Sequence, residues 1–331
     1  MVAPSRLKGK LMFELRMRWF DYLRETAGKV DPYVKAFLES HFGLHLETRK
    51  LLLSRYRFGK PQLRPALIRL AYELVGGSDW DITIPVCAAI EAKETAYYCL
   101  DDVIDKEANT QLILLGVGLH AIAYGMVCDV SRYLSKEHFL RILEEMFKLD
   151  ESILQGAIID STMYGKDEQY YMGKVEGYNF WEQVLKIGGI LGGGKDQAIE
   201  LLGRIGKNIG MAHIIANDCF DFGKDLEDFR QGKSTLPIIY AFANTSGNDR
   251  STLKFLFGKS NLLEGEKDTI RKIIVKCGAI EYGKKKALAM CADAVALLKQ
   301  RFPESETRRL IEFSTTYTKK NKYFTLLEKC K

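Results

Sequence analysis

A long stretch without proline is the feature that most constrains the fold of this chain. The chain has 331 residues and seven prolines, yet none lies between Pro85 and Pro237. Central β-strands also avoid proline, so the gap by itself admits either fold class. The chain contains no Asn-Gly or Asp-Gly pair, however, and such pairs are typical of tight hairpins. Because apolar residues recur with helical spacing through the gap, the sequence predicts an all-α protein.

The composition is that of a folded globular protein. Hydrophobic residues make up 47% of the chain and charged residues 28%, which excludes a disordered or collagen-like chain. The net charge of +6 is mild and spread along the chain, so we expect no nucleic-acid partner. Seven scattered cysteines without a CxxC motif predict reduced thiols, and the N-terminus lacks the apolar segment of a secretory signal. These features predict a cytoplasmic protein.

One segment, residues 112–128, is almost wholly apolar. Its length is at the short end for a membrane span. Three glycines and His120 interrupt it, and the sequence contains no second segment of this kind. We therefore predict a helix in the core or at a dimer interface, without insertion into a membrane.

Helical segments follow one another with short breaks along the whole chain. The sequence predicts a helix over 11–27, a turn at 28–32 and a helix over 62–75 with Pro65 in its first turn. It also predicts long helices over 168–192 and 195–229. The composition does not shift, and no linker rich in Pro, Gly or Ser separates two parts. We therefore expect one helical domain over residues 1–331.

Three carboxylates stand close together in the sequence DDVID (101–105). On a helix, Asp101 and Asp105 lie four residues apart on one face, and Asp102 lies beside them. Three like charges repel one another and raise one another's pKa unless a cation neutralises them. Because apolar residues flank the motif, it predicts a metal-binding helix rather than a solvated acidic helix end.

A second oxygen-rich stripe lies in the sequence NDCFDFGKD (217–225). Asn217, Asp221 and Asp225 recur every four residues and share a helix face, with Asp218 next to the first of them. Mg²⁺ commonly binds one or two carboxylates together with substrate phosphates, so two such stripes predict one cavity that holds Mg²⁺ and a diphosphate. Four cationic side chains are expected around that diphosphate: Arg64, Lys174, Lys224 and Lys233.

Several motifs, in their order along the chain, resemble those of the trans-isoprenyl diphosphate synthase superfamily. The segments that carry the resemblance are FGKPQLRP (58–65), DDVID (101–105), GKVEGYNFW (173–181), NDCFD (217–221) and DFRQGKSTLPIIYAF (228–242). The resemblance implies a bundle of about 10–13 helices around a deep apolar cavity, and usually a homodimer. It also implies a supporting role for Asp160 in QGAIID, which matches an aspartate of the family.

The chain departs from the chain-elongating members of that superfamily. Those members bind isopentenyl diphosphate with a Lys, an Arg three residues later, a His before the first Asp-rich motif and an Arg-Arg-Gly after it. Here Lys60 and Arg64 are four residues apart, Glu94 stands at the position expected for His, and no Arg-Arg-Gly follows Asp105. Each lost charge-assisted contact weakens diphosphate binding by roughly 1.5–3 kcal/mol, so the resemblance implies an eroded site for isopentenyl diphosphate.

The second motif also resembles that of class I terpene synthases, Asn/Asp-Asp-x-x-Ser/Thr-x-x-Lys/Arg-Asp/Glu. Asn217, Asp218, Lys224 and Asp225 fit that spacing. Asp221 departs from it, since Ser or Thr is usual there.

The resemblance implies an enzyme that ionises an allylic prenyl diphosphate (C10–C20) with about three Mg²⁺ ions, for which Mn²⁺ can substitute. The expected metal ligands are Asp101, Asp102, Asp105, Asn217, Asp218, Asp221 and Asp225, all of them catalytic except Asp218. The expected prenyl pocket comprises Tyr97, Tyr98, Tyr178 and Phe180, with Tyr97 as its floor and Tyr98 as the alternative floor. Three functions stay open. The first choice is a terpene synthase, in which the carbocation cyclises or loses a proton. The alternative is a prenyltransferase, in which the prenyl group is transferred to isopentenyl diphosphate or another acceptor, and the third is a non-catalytic partner subunit.

Overall fold

The computed structural model describes residues 5–41, 45–104, 110–161, 165–177, 180–222 and 225–320. These residues form α-helices and two short 3₁₀-helices, Trp80–Thr83 and Asp129–Tyr133, and none of them forms a strand. The α-helices are α1 (Ser5–His41), α2 (Leu46–Arg55), α3 (Leu63–Leu74), α4 (Ile84–Ile104), α5 (Thr110–Cys128), α6 (Lys136–Ser161), α7 (Glu168–Gly177), α8 (Trp181–Leu191), α9 (Asp196–Asp221), α10 (Glu227–Arg230), α11 (Leu236–Asn244), α12 (Gly247–Leu256), α13 (Glu264–Lys276), α14 (Ala279–Arg301) and α15 (Glu306–Lys320). The all-α prediction is confirmed.

The chain divides into two compact units, each assembled from distant parts of the sequence. Unit 1 comprises residues 1–147, 183–203 and 301–313, and unit 2 comprises residues 148–182, 204–300 and 314–331. The first Asp-rich motif belongs to unit 1 and the second to unit 2. One domain over residues 1–331 stays a prediction.

Helices α3 and α4 lie in the core of unit 1. Leu67, Ile68 and Leu70 on α3 are fully buried, and α4 packs against α1, α3 and α5. Helix α8 approaches α3 so closely that a Cβ atom added at Gly188 would lie 2.3 Å from the carbonyl oxygen of Ile68. This packing fixes α4, which carries the first Asp-rich motif at its C-terminal end.

Helix α9 is central to the core of unit 2. It approaches α14 closely, since a Cβ atom added at Gly283 would lie 2.5 Å from the sulfur of Cys219. Helix α11 packs against α7, α12 and α13. Its Tyr240 stacks on Tyr282 of α14 with the ring centroids 4.4 Å apart. These contacts fix the C-terminal part of α9, which carries the second motif.

The turn predicted at residues 28–32 is wrong, because α1 continues through Gly28 and Pro32. Proline lacks the backbone N–H that a helix interior uses, and its presence there is costly. Val30, Val34 and Leu38 nevertheless form a stripe that is at most 1% exposed. Burial of this apolar stripe outweighs the cost of the proline.

The long helices predicted over 168–192 and 195–229 are each interrupted. The first divides into α7 and α8, and the second into α9 and α10. Leu226, which precedes α10, has a left-handed backbone with φ of 56° and a fully buried side chain. The carboxylate of Asp221 then accepts the backbone N–H groups of Glu227 and Asp228 at 3.1 and 3.2 Å, and so caps α10.

Helix α5 contains the apolar segment noted in the sequence. Thr110–Tyr133 is long and apolar enough to cross a membrane, although the core helix of a soluble protein meets the same criterion. One face of α5 packs on α4, where a Cβ atom added at Gly116 would lie 3.0 Å from the side chain of Leu100. Ile113, Leu114 and Val117 are exposed. Helix α5 therefore has one face in unit 1 and one exposed apolar face.

Candidate active site

The first Asp-rich motif lies at the C-terminal end of α4. Asp101 is exposed, and Asp102 is partly buried with its Oδ2 atom 3.9 Å from a guanidinium nitrogen of Arg55. Asp105 lies outside the described residues. Two adjacent carboxylates at the end of a buried helix are oxygen ligands of the kind that Mg²⁺ prefers.

A row of side chains runs along α4 from Asp101 toward its N-terminus. Tyr97, one turn away, is partly buried and meets the ring of His120 edge-on with the centroids 5.9 Å apart. Lys93, a further turn away, is 1% exposed, and its Nζ atom lies 3.3 Å from Nε2 of His120 and 4.1 Å from the ring centroid of Tyr124. Tyr97 thus lies one turn from the motif, as predicted. Lys93 was not predicted from the sequence as a residue of the site, although it shares the four-residue spacing of Tyr97 and Asp101.

Tyr98 has a different environment. It is 39% exposed, and its hydroxyl donates a hydrogen bond of 2.9 Å to Glu94. The guanidinium of Arg57 lies over its ring, 4.4 Å from the centroid. These polar contacts are unlike the lining of an apolar pocket and disfavour Tyr98 as the alternative floor.

Arg64, which the sequence predicts to bind diphosphate, forms an ion pair with Glu94. Burial alone would lower the pKa of Arg64, but the charge of Glu94 outweighs it and raises the pKa. Glu91 lies close to the same pair. Burial, reinforced by the charge of Glu94, raises the pKa of Glu91 well above its usual range. The guanidinium thus has an internal carboxylate partner.

The second motif lies at the C-terminal end of α9. Asn217 is exposed, whereas Asp218 is buried and accepts a hydrogen bond of 2.7 Å from the hydroxyl of Tyr171. Burial raises the pKa of Asp218, although the nearby ammonium of Lys174 opposes the shift. Asn217 is therefore placed to reach a ligand, and Asp218 contacts the interior of unit 2.

Asp221 and Asp225 complete the stripe. Asp221 is partly buried, and burial raises its pKa to about 6 despite the two backbone N–H groups that it accepts. Asp225 is exposed but lies beyond the end of α9, so the predicted four-residue register stops at Asp221. Lys224 lies outside the described residues.

One buried carboxylate holds two of the predicted diphosphate-binding lysines. The Nζ atoms of Lys174 and Lys233 lie 2.7 and 3.2 Å from the two oxygens of Asp160. Burial would raise the pKa of Asp160, but the two ammonium groups outweigh it and hold the pKa below its usual range. Burial would likewise lower the pKa of Lys174, but Asp218 and Asp160 outweigh it and raise the pKa. Two ammonium groups side by side are suited to bind a diphosphate.

Asp228 is a partly buried residue that was not assigned a role from the sequence. Its backbone N–H bonds to Asp221 at the start of α10. Burial, followed by the charge of Asp218, raises the pKa of Asp228 well above its usual range. Its place as the first residue of DFRQGKSTLP was the signal that could have identified it.

The aromatic residues near α8 are only partly described. Phe180 is partly buried before α8, and Tyr178 lies outside the described residues. Trp181 is buried, and its ring centroid lies 5.4 Å from that of His213, one turn before Asn217. His213 therefore packs on an aromatic ring within unit 2.

In the part of the chain that the structure describes, no three Asp, Glu, His or Cys side chains converge closely enough to hold a metal ion. The predicted ligands among the described residues fall in two sets: Asp101 and Asp102 in unit 1, and Asn217, Asp218, Asp221 and Asp225 in unit 2. Their meeting at one cavity stays a prediction. The donor atoms of both sets, carboxylate and amide oxygens near helix ends, fit Mg²⁺.

Comparison with known proteins places these motifs in context. Residues 53–274 match the family described as polyprenyl synthetase. The chain is 25% identical over 324 residues to the geranylfarnesyl diphosphate synthase of Aeropyrum pernix, and the match covers 87% of this chain and 98% of that protein.

Two solved structures show the same fold. The geranylgeranyl pyrophosphate synthetase of Pyrococcus horikoshii has a TM-score of 0.82 at 23% identity, with 93% of this chain and 99% of that chain covered. The polyprenyl synthase of Caulobacter crescentus, complexed with calcium and isoprenyl diphosphate, has a TM-score of 0.79 at 22% identity, with 90% and 97% covered. Because the family match spans well over half of this chain, the resemblance of its motifs is confirmed, and the chain belongs to the polyprenyl synthetase family of isoprenoid-synthesising enzymes.

Proposed function

We propose that this enzyme is a Mg²⁺-dependent prenyltransferase that ionises an allylic prenyl diphosphate and joins the prenyl group to a second substrate. The family match and the relative named as a diphosphate synthase support this proposal. They favour the alternative drawn from the sequence over the terpene cyclase, which was the first choice. Within the structure, the observation that supports it best is the pair of lysines, buried Lys174 and partly buried Lys233, on Asp160.

In the proposed reaction, the bond between C1 of the prenyl group and the diphosphate oxygen breaks, and the electron pair stays on the diphosphate. Lys174 and Lys233 bind the leaving diphosphate and stabilise the charge that develops on its oxygens. Mg²⁺, when bound to the side chains of the two motifs, supplies further charge neutralisation. An electron pair of the second substrate forms the new bond to C1, and a proton is then lost.

The identity of the metal ion and the number of ions bound belong to the same proposal. The Caulobacter crescentus relative contains calcium together with isoprenyl diphosphate, which supports a divalent cation at the diphosphate. The oxygen donors of this chain favour Mg²⁺, with Mn²⁺ as a substitute. About three ions would balance the charge of the diphosphate and of the carboxylates.

We also propose a homodimer in which a second copy of this chain covers the exposed face of α5. On this face, Leu114 and Val117 are 67% and 60% exposed, and Leu140 and Phe147 of α6 add apolar surface in unit 1. Exposed apolar side chains grouped on one helix are typical of an interface between subunits. We propose that this surface meets a subunit rather than a membrane. The six described cysteines are free, which supports the proposed cytoplasmic location.

The test incubates the purified protein with Mg²⁺ and the C10, C15 and C20 allylic diphosphates, each alone and with a second substrate. The second substrates are isopentenyl diphosphate and its phosphate-free counterpart, isopentenol. Diphosphate release and product structure are measured. A product that contains both substrates supports the transferase. Hydrocarbons or alcohols from the allylic diphosphate alone would instead indicate a cyclase, and inertness throughout would indicate a non-catalytic partner subunit.

A further inference from the structure

Tyr282 of α14 contacts both of the elements that carry the lysines of the proposed diphosphate site. Lys174 lies on α7, and Lys233 lies just before α11. The hydroxyl of Tyr282 donates to both carboxylate oxygens of Glu168, the first residue of α7, at 2.9 Å each. The ring of Tyr282 stacks on Tyr240 of α11. One residue of α14 therefore connects α7 with α11 inside unit 2.

The hydrogen bond between Tyr282 and Glu168 is supported from α14 itself. Lys286, one turn further along α14, forms an ion pair with the same carboxylate. Burial, followed by the hydrogen bond to Glu168, raises the pKa of Tyr282, so its hydroxyl stays protonated and can donate. Helix α14 is anchored next to Tyr282 by the close approach of Gly283 to α9. The N-terminal end of α7 is thus bonded to a fixed helix of the core.

Lys174 lies between two ends of α7 that are both held. At the C-terminal end, a Cβ atom added at Gly177 would lie 2.8 Å from the backbone of Gly156, so α7 and α6 are in close contact there. At the N-terminal end, Glu168 is bonded to Tyr282. A helix of 10 residues is marginally stable by itself. These end contacts therefore determine where the backbone of Lys174 lies.

A second hydrogen bond connects the same two parts of the chain. The backbone N–H of Gly165, three residues before α7, donates to Oγ of Ser234 at 3.0 Å. Ser234 is buried and directly follows Lys233. The distance between α7 and the segment of Lys233 is therefore fixed by this bond and by Tyr282, in addition to the ion pairs that the two lysines form with Asp160.

The separation of two ammonium groups determines which anion they can bind together. A diphosphate has two phosphoryl groups and binds best when each of them meets a cation. A single phosphate can be bound by one ammonium alone, so its binding depends less on the separation. A displacement of about 1 Å is sufficient to disrupt an arrangement of this kind.

We propose that Tyr282 is a positioning residue of the diphosphate site: by connecting α7 with α11, it holds Lys174 and Lys233 at the separation that favours a diphosphate over a single phosphate. This inference rests on the role of the two lysines in the proposed function. It deepens that proposal, because it assigns the preference for a diphosphate to a residue outside both Asp-rich motifs.

The test compares the wild type with Tyr282→Phe, which removes the hydroxyl but keeps the ring that stacks on Tyr240. Glu168→Ala and Glu168→Gln are further variants, since glutamine can still accept the hydrogen bond and alanine cannot. The matched control is Tyr33→Phe, which removes another tyrosine hydroxyl that is bonded to a carboxylate, that of Asp129 in unit 1, at 2.6 Å. Calorimetry measures the dissociation constants of inorganic diphosphate and inorganic phosphate in the same excess of Mg²⁺, and the melting temperature of each variant is recorded.

We expect Tyr282→Phe and Glu168→Ala to weaken the binding of diphosphate roughly 10-fold and that of phosphate by no more than about twofold, because only the diphosphate needs both lysines. Glu168→Gln and Tyr33→Phe should retain the preference of the wild type for diphosphate. If Tyr282→Phe weakened both anions equally, or lowered only the melting temperature, its role would be structural and the inference would be overturned.

Two further results would also overturn the inference. If Glu168→Gln lost as much of the preference as Glu168→Ala, the ion pair with Lys286 rather than the hydroxyl of Tyr282 would carry the effect. A wild type that shows no preference for diphosphate over phosphate would refute the inference whether or not the variants fold. Failure of the wild type to form a product that contains both substrates would overturn the proposed prenyl transfer instead, and the calorimetry would still decide the role of Tyr282.

Discussion

Asp160 is the residue on which the cationic part of the site depends. It is 8% exposed and holds two ammonium groups, one on each carboxylate oxygen. Two lysines that share one carboxylate lose less side-chain conformational entropy in forming their ion pairs than two separate pairs would, because only one carboxylate has to be ordered. It also ties the stability of unit 2 to the charge of a single carboxyl group, which gives a pH dependence of known sign.

We expect Asp160→Asn to lower the free energy of unfolding at pH 7 by about 3 kcal/mol, because the buried ammonium of Lys174 and the partly buried ammonium of Lys233 lose their shared partner. The folded-state pKa of Asp160 is below its usual range. The contribution of Asp160 to the free energy of unfolding is therefore fully present above its unfolded-state pKa of about 3.9. This contribution is lost as the pH falls through the folded-state pKa of Asp160.

Urea unfolding at pH 7 and pH 3 checks this expectation, with the exposed Asp293→Asn on α14 as the control. The difference between wild type and Asp160→Asn should shrink at pH 3. An equal difference at both pH values would contradict the argument.

Tyr97 gives a second prediction at this scale. Its ring lies between Asp101 and the buried Lys93 along α4, so we propose that it limits the depth available to a prenyl tail that starts at the motif. We expect the wild type to prefer C10 and C15 substrates over C20, and Tyr97→Ala to shift the turnover toward C20. Tyr98→Ala, at an exposed site, is the control and should leave the ratios unchanged. If Tyr97→Ala lowered only the melting temperature, Tyr97 would be an ordinary packing residue.

At the scale of the helix, two glycines of unit 1 have opposite surroundings. Gly188 on α8 touches the backbone of α3, whereas Gly28 on α1 has nothing within 4 Å of an added Cβ atom. We expect Gly188→Ala to lower the free energy of unfolding by about 2–3 kcal/mol, because the backbone of α3 must move. Gly28→Ala should raise it by about 0.5–1 kcal/mol, because alanine favours the helix. Chemical unfolding of both variants measures these changes. Destabilisation by Gly28→Ala would argue against a continuous α1.

At the scale of the whole molecule, the fold class could be predicted from the sequence and the interruptions of its helices could not. The proline gap and the helical spacing are local signals, and they were sufficient for the all-α assignment. The left-handed backbone of Leu226 and the continuity of α1 through Pro32 depend instead on burial against distant segments. The same distinction holds at the site. The motifs indicated Asp101, Asn217 and the lysines, but the pairing of Arg64 depends on the neighbouring helix α4.

The oligomer gives a further prediction at this scale. Val117→Asp places a charge in the centre of the exposed face of α5, and we expect it to convert a dimer into monomers, because an unpaired charge cannot be buried without a large cost. The control is Phe255→Asp on α12, which is 80% exposed in unit 2 and should leave the dimer intact. Light scattering after size-exclusion chromatography measures the mass. A dimer that persists in Val117→Asp would place the interface elsewhere.

The cap that Asp221 provides to α10 links helix order to cation affinity. Both of its carboxylate oxygens accept backbone N–H groups, so a cation would compete for the same electron density. Linkage is reciprocal: by as much as a bound ion weakens these two hydrogen bonds, the hydrogen bonds weaken the affinity of Asp221 for the ion. We expect this competition to weaken metal binding modestly and to favour departure of the ion together with the released diphosphate. In the proposed prenyltransferase, which would release a metal-bound diphosphate in every cycle, a weaker metal ligand would favour turnover.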